Sequence, residues 1–259
     1  MRGNLRNGND KSGLRGGDLA TAMGLLTRLP LPYPPFDAAS PRPAAAAAWA
    51  YPLVGLVVGI LLVAVILLAL AMGLPPALAA LTALVASLFI TGALHEDGLA
   101  DCADGFWGGW TRERRLEIMK DSQIGTYGVA ALILSLAFRW QALVLLIEAD
   151  LLMALVAVEV ISRAAMVWVM FQLPHARNSG LSRQTGRPAR ETALIALAIG
   201  GITALFVGPF FPLLLVAGLA TLGVSLLARA KIGGQTGDLL GATQQVTGLA
   251  LLGVFTASL

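Results

Sequence analysis

Four of the fifteen acidic residues in this 259-residue chain lie within residues 95–105, directly after a long apolar run. Three of them, Asp97, Asp101 and Asp104, are spaced i, i+4 and i+7, which on a helix places their carboxylates within about 60° of one another. Like charges so close repel unless a cation lies among them. Hard oxygen ligands beside glycines suit Mg²⁺ or Mn²⁺ that holds a phosphate-bearing substrate. We therefore predict a metal site at these three aspartates.

A solvated, acidic helix start is the alternative interpretation of this cluster. It explains Glu96 and Asp97, but it explains Asp104 poorly because that residue lies deeper in the predicted helix. Glu96 points about 100° away from the other carboxylates, so it is a weaker candidate for a fourth ligand. His95 is a candidate base or phosphate contact, although a lone histidine is more often structural.

Residues 117–128 supply groups that suit a phosphate: a compact cation, two hydroxyl donors and glycines that allow close backbone approach. These residues are Lys120, Ser122, Thr126, Gly125 and Gly128. Asp121 in the same segment is a candidate metal ligand or general base. A glycine-rich helix entry with an aspartate cap is the structural alternative.

A second glycine-rich turn, Gly233-Gly234-Gln235-Thr236-Gly237-Asp238, opens another predicted helix. The backbone N–H groups of such a turn can bind an anion. Asp238 argues against a bare anion and suits a metal-bridged phosphate or a base hydroxyl. An equally good alternative is that Asp238 is only the N-cap of the helix.

Composition places the chain in a lipid bilayer. Hydrophobic residues make up 57% of it, the mean hydropathy is +0.77, and apolar stretches of about 20 residues recur. We predict an all-α fold, a polytopic membrane helix bundle with about seven spans and an N-terminal interfacial helix from Asp18, its candidate cap, to Leu29. Residues 1–17 are expected to form a disordered tail. Residues 18–259 are expected to form a single integral-membrane catalytic domain. Within that domain, the proline-rich residues 30–43 cannot form a regular helix. The predicted spans are about 46–72, 76–95, 128–147, 151–172, 191–208, 211–229 and 238–258.

The basic residues predict the orientation of these spans. Sixteen of the eighteen Lys and Arg residues lie in the N-terminal segment, in loops 96–127, 173–190 and 230–237, or at the adjoining helix ends. The positive-inside rule therefore places these loops and the acidic cluster in the cytoplasm. A transporter would more often carry its charged site near the midplane, so a site at the boundary favours an enzyme with a soluble substrate.

The basic loop 173–190 could meet a pyrophosphate or a phosphorylated acceptor, although topology alone also predicts basic residues there. It carries His175, Arg177, Arg183, Arg187 and Arg190. Basic and aromatic residues do not alternate as they do in nucleic-acid-binding proteins, so no nucleic-acid partner is predicted.

Two further arginines lie within predicted spans. Arg163 follows Glu159 at i+4, which favours a buried ion pair, whereas Arg139 has no evident partner in the sequence. Gln244 and Gln245 in the last span are interpreted as interhelical hydrogen-bonding groups.

The chain resembles the cobalamin synthase family in four blocks whose order and spacing are similar from about residue 18 to 258. The blocks are Thr27–Pro30, His95–Gly105, Lys120–Ser122 with Gly125 and Gly128, and Gly233–Asp238 with Gly241-Ala242. The sequence departs from the family pattern at Gly180-Leu181-Ser182, where the pattern has Gly-Leu-Gly.

The resemblance implies a late step of cobalamin synthesis in the bacterial inner membrane, with the active site facing the cytoplasm. Adenosylcobinamide-GDP would react with α-ribazole, or its 5′-phosphate, to give adenosylcobalamin (or its 5′-phosphate) and GMP, with Mg²⁺ as cofactor. For this reaction the candidate metal ligands are Asp97, Asp101, Asp104 and Glu96, and the candidate bases are Asp104, Asp121 and His95. The candidate substrate-binding residues are Lys120, Ser122, Gly125, Thr126, Gly234, Gln235, Thr236, Asp238, Arg28 and Arg177. A homo-oligomer is left open.

Two rival functions remain at this stage. Asp101-x-x-Asp104-Gly105 also looks like part of the CDP-alcohol phosphotransferase signature of phospholipid enzymes, although the full signature is not present. The acidic cluster could instead be the mouth of a Mg²⁺ transporter, against which the lack of a second acidic cluster within the spans counts.

Overall fold

The computed structural model describes residues 14–30 and 43–259, and this part of the chain contains eleven α-helices and no β-strand. The helices are α1 (Gly17–Leu26), α2 (Tyr51–Ala71), α3 (Pro76–Thr91), α4 (Leu94–Gly108), α5 (Arg112–Ile118), α6 (Thr126–Glu148), α7 (Met153–Gln172), α8 (Leu181–Thr185), α9 (Arg190–Val207), α10 (Phe210–Ile232) and α11 (Gly237–Ala257). A 3-10 segment, Ala44–Ala50, leads directly into α2. Most of the predicted tail and of the proline-rich segment lies outside the described residues. The all-α class is confirmed.

Six helical segments in the described part of the chain are long and apolar enough to cross a membrane. They are Ala44–Ala71, α6, α7, α9, α10 and α11. The predicted span 76–95 differs from the structure, because α3 ends at Thr91 and α4 leaves it at an angle of 88°. The two together make a seventh span only if they count as one broken crossing. Since α4 turns nearly perpendicular to α3, we treat α4 as lying outside the membrane-crossing segments.

The bend between α3 and α4 is a backbone feature. Gly92 has a φ of +64° and Ala93 a φ of +53°, so two consecutive left-handed residues end α3 and redirect the chain. The Arg28 side chain packs over Gly92, where a Cβ would clash with it. The backbone N–H of Arg28 donates to the Ile90 carbonyl (2.7 Å). The block that contains Arg28 therefore fixes the point at which α4 begins.

The interfacial helix α1 is held to the bundle by its first turn. Its N-cap is Gly16, not Asp18 as predicted, and the helix ends at Leu26. The Asp18 carboxylate accepts hydrogen bonds from the Arg15 N–H (3.0 Å) and from the Trp49 indole (2.8 Å). The carboxylate thus joins α1 to the 3-10 segment.

Helix α7 is the centre of the bundle. It packs mainly against α2, α9 and α11. Of the residues in its apolar membrane-crossing stretch, 89% are buried inside the protein, against 22% for α9 and for α10. Gly55 and Gly59 of α2 let the two backbones approach, because a Cβ at Gly55 would clash with the Glu159 carbonyl. This is the small-xxx-small packing of membrane helices.

The charged side chains inside the bundle form one paired network. Glu159 pairs with Arg163, as predicted, and also with Arg139 (Nη1–Oε1 3.6 Å). Arg139 donates to Gln245 (2.9 Å), whose amide donates to Glu96 of α4 (2.9 Å). Buried charges are tolerated when paired in this way. The predictions of a buried ion pair and of interhelical glutamine bonds are confirmed, and the network attaches α4 to the bundle.

Candidate functional site

Helix α4 carries the three aspartates of the predicted metal site, so their placement on one helix is confirmed. The helix packs against α11 and α6. Gly98 allows the close contact with α11, because a Cβ there would lie 2.5 Å from the Asp238 carbonyl oxygen. This contact brings the N-terminus of α11, with its carboxylate at Asp238, beside α4.

Asp104 is committed to the start of α6. Its side chain is buried, and its two oxygens accept hydrogen bonds from the backbone N–H groups of Gly125 (2.7 Å) and Gly128 (2.8 Å). A Cβ on either glycine would clash with this carboxylate. The glycines predicted to approach a phosphate therefore approach Asp104.

Asp101 is surrounded by like charges. Burial, followed by the carboxylates of Asp238, Asp97 and Asp104, raises the pKa of Asp101 to about 7, and the nearby Arg177 only partly opposes this. A bound divalent cation would stabilise the ionised form of a carboxylate in such surroundings.

A cavity of about 90 Å³ lies where α1, α2, α4, α7 and α11 meet the 173–190 loop. Its charged and imidazole lining groups are His95, Asp97, Arg177 and Asp238, and its hydroxyl groups are those of Tyr51, Ser182 and Thr185. Within the described residues, His95 Nε2 and Arg177 Nη1 are buried without a hydrogen-bond partner. Because buried polar atoms normally have a partner, these two atoms are available to bond to a molecule in the cavity.

The Arg177–Asp238 ion pair joins the basic loop to α11. Arg177 Nη2 lies 3.0 Å from Asp238 Oδ2, and both side chains are mostly buried. Asp238 lies in the first turn of α11, but the N-cap is Thr236, whose hydroxyl accepts from the Leu239 N–H (3.1 Å). The predicted capping alternative for Asp238 is therefore wrong, and the carboxylate instead orients Arg177.

The second glycine-rich turn holds the basic loop by backbone pairing. The Gln235 N–H donates to the Pro174 carbonyl (2.7 Å), and its carbonyl accepts from the Ala176 N–H (2.8 Å). A Cβ at Gly234 would clash with Pro174. The Gln235 N–H is thus used within the protein, and this turn positions Arg177.

The departure from the family pattern at Ser182 has a structural role. The Ser182 hydroxyl donates to the Gln235 side chain (3.0 Å) and lies 3.1 Å from His175 Nδ1. Burial, followed by the charges of Arg183 and Arg187, lowers the pKa of His175. A neutral imidazole at pH 7 fits this hydrogen-bonded position.

The remaining predicted residues lie outside the cavity. Lys120 is exposed and reaches Ser179 (3.4 Å), and Asp121 accepts from the Gln123 N–H (3.1 Å) in an exposed turn. Ser122 and Thr126 are exposed in the same region. The Lys120–Ser179 bond places this turn next to the basic loop.

Replacing Gly128 with alanine should destabilise the junction of α4 and α6. The new methyl group would clash with the Asp104 carboxylate and lie about 3 Å from other atoms of α4 and the preceding turn, and such overpacking costs about 1–3 kcal/mol. We expect a lower thermal unfolding midpoint in detergent. The control is Gly223→Ala on α10, whose Cβ would meet open space. Equal midpoints for the two variants would contradict the packing described.

No group of three histidine, cysteine or carboxylate side chains is assembled to hold a metal within residues 14–30 and 43–259. Magnesium, however, is usually bound through one or two carboxylates together with substrate phosphates and water. Asp97 and Asp101, with Asp238 opposite them, have the donor chemistry for such a site. Glu96 points instead to Gln245 in the buried network.

The fold and the cavity define a class: an integral-membrane helical protein with a site of mixed charge at one end of its bundle. The sequence matches the cobalamin-5-phosphate synthase family over residues 18–256. It is 46% identical over 246 residues to the adenosylcobinamide-GDP ribazoletransferase of Bradyrhizobium diazoefficiens, with 93% of each chain covered. It is 44% identical over 245 residues to the enzyme of the same name from Mesorhizobium japonicum, again with 93% of each chain covered. The chain therefore belongs to the cobalamin-5-phosphate synthase family, as the resemblance implied. No solved structure matches it.

Proposed function

We propose that this protein joins α-ribazole, or its 5′-phosphate, to adenosylcobinamide-GDP and releases GMP, giving adenosylcobalamin or its 5′-phosphate. Membership of the family makes the chain a transferase of cobalamin synthesis. The observation that carries the site assignment is the cavity at which Asp97, Asp238 and Arg177 converge.

Arg177 is the proposed contact for the pyrophosphate. One of its terminal nitrogens bonds to Asp238 and the other is buried without a partner among the described residues. A guanidinium held on one edge can present its second edge to a phosphate oxygen in a charge-assisted hydrogen bond. The ion pair therefore orients Arg177 without neutralising its capacity to donate.

The proposed cofactor is Mg²⁺, held by Asp97 and Asp101 with Asp238 opposite. When bound, it would neutralise the pyrophosphate and stabilise the charge that develops on the leaving GMP. Asp104 and Glu96, the other two predicted ligands, have partners of their own in Gly125, Gly128 and Gln245. Their proposed role is to hold α4 in place beneath the site.

The acceptor must lose a proton from its attacking ribose hydroxyl. Of the three candidate bases, both oxygens of Asp104 are hydrogen-bonded to α6, and Asp121 is exposed outside the cavity. His95 lines the cavity and its Nε2 has no partner among the described residues. Since a general base must first lie within reach of the proton, we assign this role to His95.

We further propose that the protein lies in the bacterial inner membrane with the cavity toward the cytoplasm. This orientation is supported by the sixteen basic residues that lie in the N-terminal segment, in the loops of that side or at the adjoining helix ends. Neither rival function gains support from the fold. The buried arginines of the spans pair with Glu159 instead of lining an ion path.

The test uses purified protein in lipid vesicles with Mg²⁺, adenosylcobinamide-GDP and either α-ribazole or its 5′-phosphate. We expect equimolar GMP and cobamide by chromatography, loss of both on addition of EDTA, and recovery with excess Mg²⁺. The preferred acceptor is the one with the larger kcat/KM. Vesicles that form no cobamide with either acceptor would refute the proposed reaction, and turnover unchanged by EDTA would refute the proposed cofactor.

A further inference from the structure

A second, separate space of about 280 Å³ opens between α7, α9 and α10. Helix α9 packs mainly on α7, and α10 packs mainly on α11, so a crevice remains between α9 and α10. Small residues line its middle: Gly200, Gly201, Ala217 and Gly218. All three helices are long and apolar enough to cross a membrane, which places the crevice between them at the depth of the bilayer.

The polar groups of this crevice lie toward one end. Gln172 is the last residue of α7, and Ser225 lies two turns before the end of α10. These helix ends share one face of the protein, because Arg112 donates to both the Ile232 carbonyl (2.9 Å) and the Ala176 carbonyl. The other end of the crevice, toward Leu214, is apolar.

The buried side chain of Ser225, like the crevice itself, indicates a bound ligand. Its side chain is 2% exposed, and its hydroxyl has no hydrogen-bond partner among the described residues. Thr221, one turn earlier on the same wall, donates to the Ala217 carbonyl (2.6 Å). An unpaired hydroxyl in an apolar membrane crevice is unfavourable unless a bound molecule supplies an acceptor.

Positive charge continues the polar end of the crevice. Thr221, Ser225 and Arg229 follow one another at i+4 on α10, and Arg229 is exposed. On α9, the exposed Arg190 precedes the lining residue Leu197 by seven positions and so shares its face. Arginines at a membrane surface attract anionic lipid headgroups.

We propose that this crevice binds one acyl chain of an anionic glycerophospholipid. The chain occupies the apolar end, an ester carbonyl accepts from Ser225, and the phosphate lies near Arg229 and Arg190. The lining favours a lipid over a helix of a second copy, because an apolar end, a buried hydroxyl without a partner and two exposed arginines match the chain, the ester and the phosphate of a phospholipid in that order.

The test is native mass spectrometry of the purified protein with added phosphatidylglycerol or phosphatidylcholine. We expect one bound phosphatidylglycerol and at least tenfold weaker binding in Gly218→Leu, whose side chain would fill the crevice. The matched control is Gly223→Leu on the same helix. Gly223 does not line the crevice, and a Cβ at this position would meet open space. Equal lipid binding by both leucine variants would overturn the proposal.

Two milder variants address the polar end and remain informative if Gly218→Leu does not fold. Ser225→Ala should weaken phosphatidylglycerol binding severalfold, and Arg190→Gln with Arg229→Gln should abolish its preference over phosphatidylcholine. Unchanged binding in both would refute the assigned orientation. If the wild-type protein is instead a dimer without bound lipid, and Gly218→Leu dissociates that dimer, the lipid proposal is wrong and a second copy occupies the crevice.

Discussion

Replacing Asp101 with asparagine should reduce cobamide formation about a hundredfold or more, equivalent to ~2.7 kcal/mol of transition-state stabilisation. The amide keeps the shape of the side chain but removes the charge proposed to hold Mg²⁺. Stability should be unchanged or higher, because Asp101 lies in the field of Asp97, Asp104 and Asp238, and removing one of several like charges relieves their repulsion. The measurements are turnover as a function of Mg²⁺ concentration and the thermal unfolding midpoint of the same preparation.

The opposite directions of the two effects make this prediction specific. Glu113→Gln on the exposed face of α5 removes one carboxylate elsewhere in the chain and should change neither quantity. If Asp101→Asn retains wild-type turnover, the proposed metal role is wrong. If it instead unfolds more readily and loses activity to the same degree, Asp101 is a structural residue.

The second large effect concerns the buried network. Glu159→Gln should lower the free energy of unfolding by about 3–5 kcal/mol, the usual result of leaving a buried charge uncompensated. Glu159 pairs with both Arg139 and Arg163, and the Arg163 side chain is fully buried. The measurement is the thermal midpoint in detergent, with size-exclusion chromatography to confirm the folded fraction before heating.

The control for this variant is Glu148→Gln at the exposed end of α6, which should unfold as the wild type does. Adding Arg139→Gln to Glu159→Gln should recover part of the loss, because it removes one of the two uncompensated charges. A wild-type midpoint for Glu159→Gln would show that water or lipid headgroups reach the arginines.

The sequence alone determines the features that depend on one segment. Apolar length and basic loops predict a membrane bundle, and the i, i+4, i+7 spacing predicts that Asp97, Asp101 and Asp104 share a helix. The pair Glu159 and Arg163 is likewise local to α7. Helical periodicity encodes such relations directly, because the side chains concerned are separated by one or two turns of the same backbone.

The bend after α3 was not predicted, because an apolar run continues through it. Residues 76–95 look like one span, but the left-handed conformations of Gly92 and Ala93 end α3 and turn α4 away. Glycine permits this conformation without requiring it. The choice depends on what packs around the bend, including Arg28.

Tertiary structure alone decided which candidate residues face the cavity. It turns Asp104 to Gly125 and Gly128, 21 and 24 residues away, and it pairs Arg177 with Asp238 across 61 residues. Helical spacing gives the direction of a side chain from its own axis, but its partner depends on how distant helices pack. The sequence therefore determined the helix that carries the acidic cluster, whereas packing separated Asp97, which lines the cavity, from Asp104, which anchors α6.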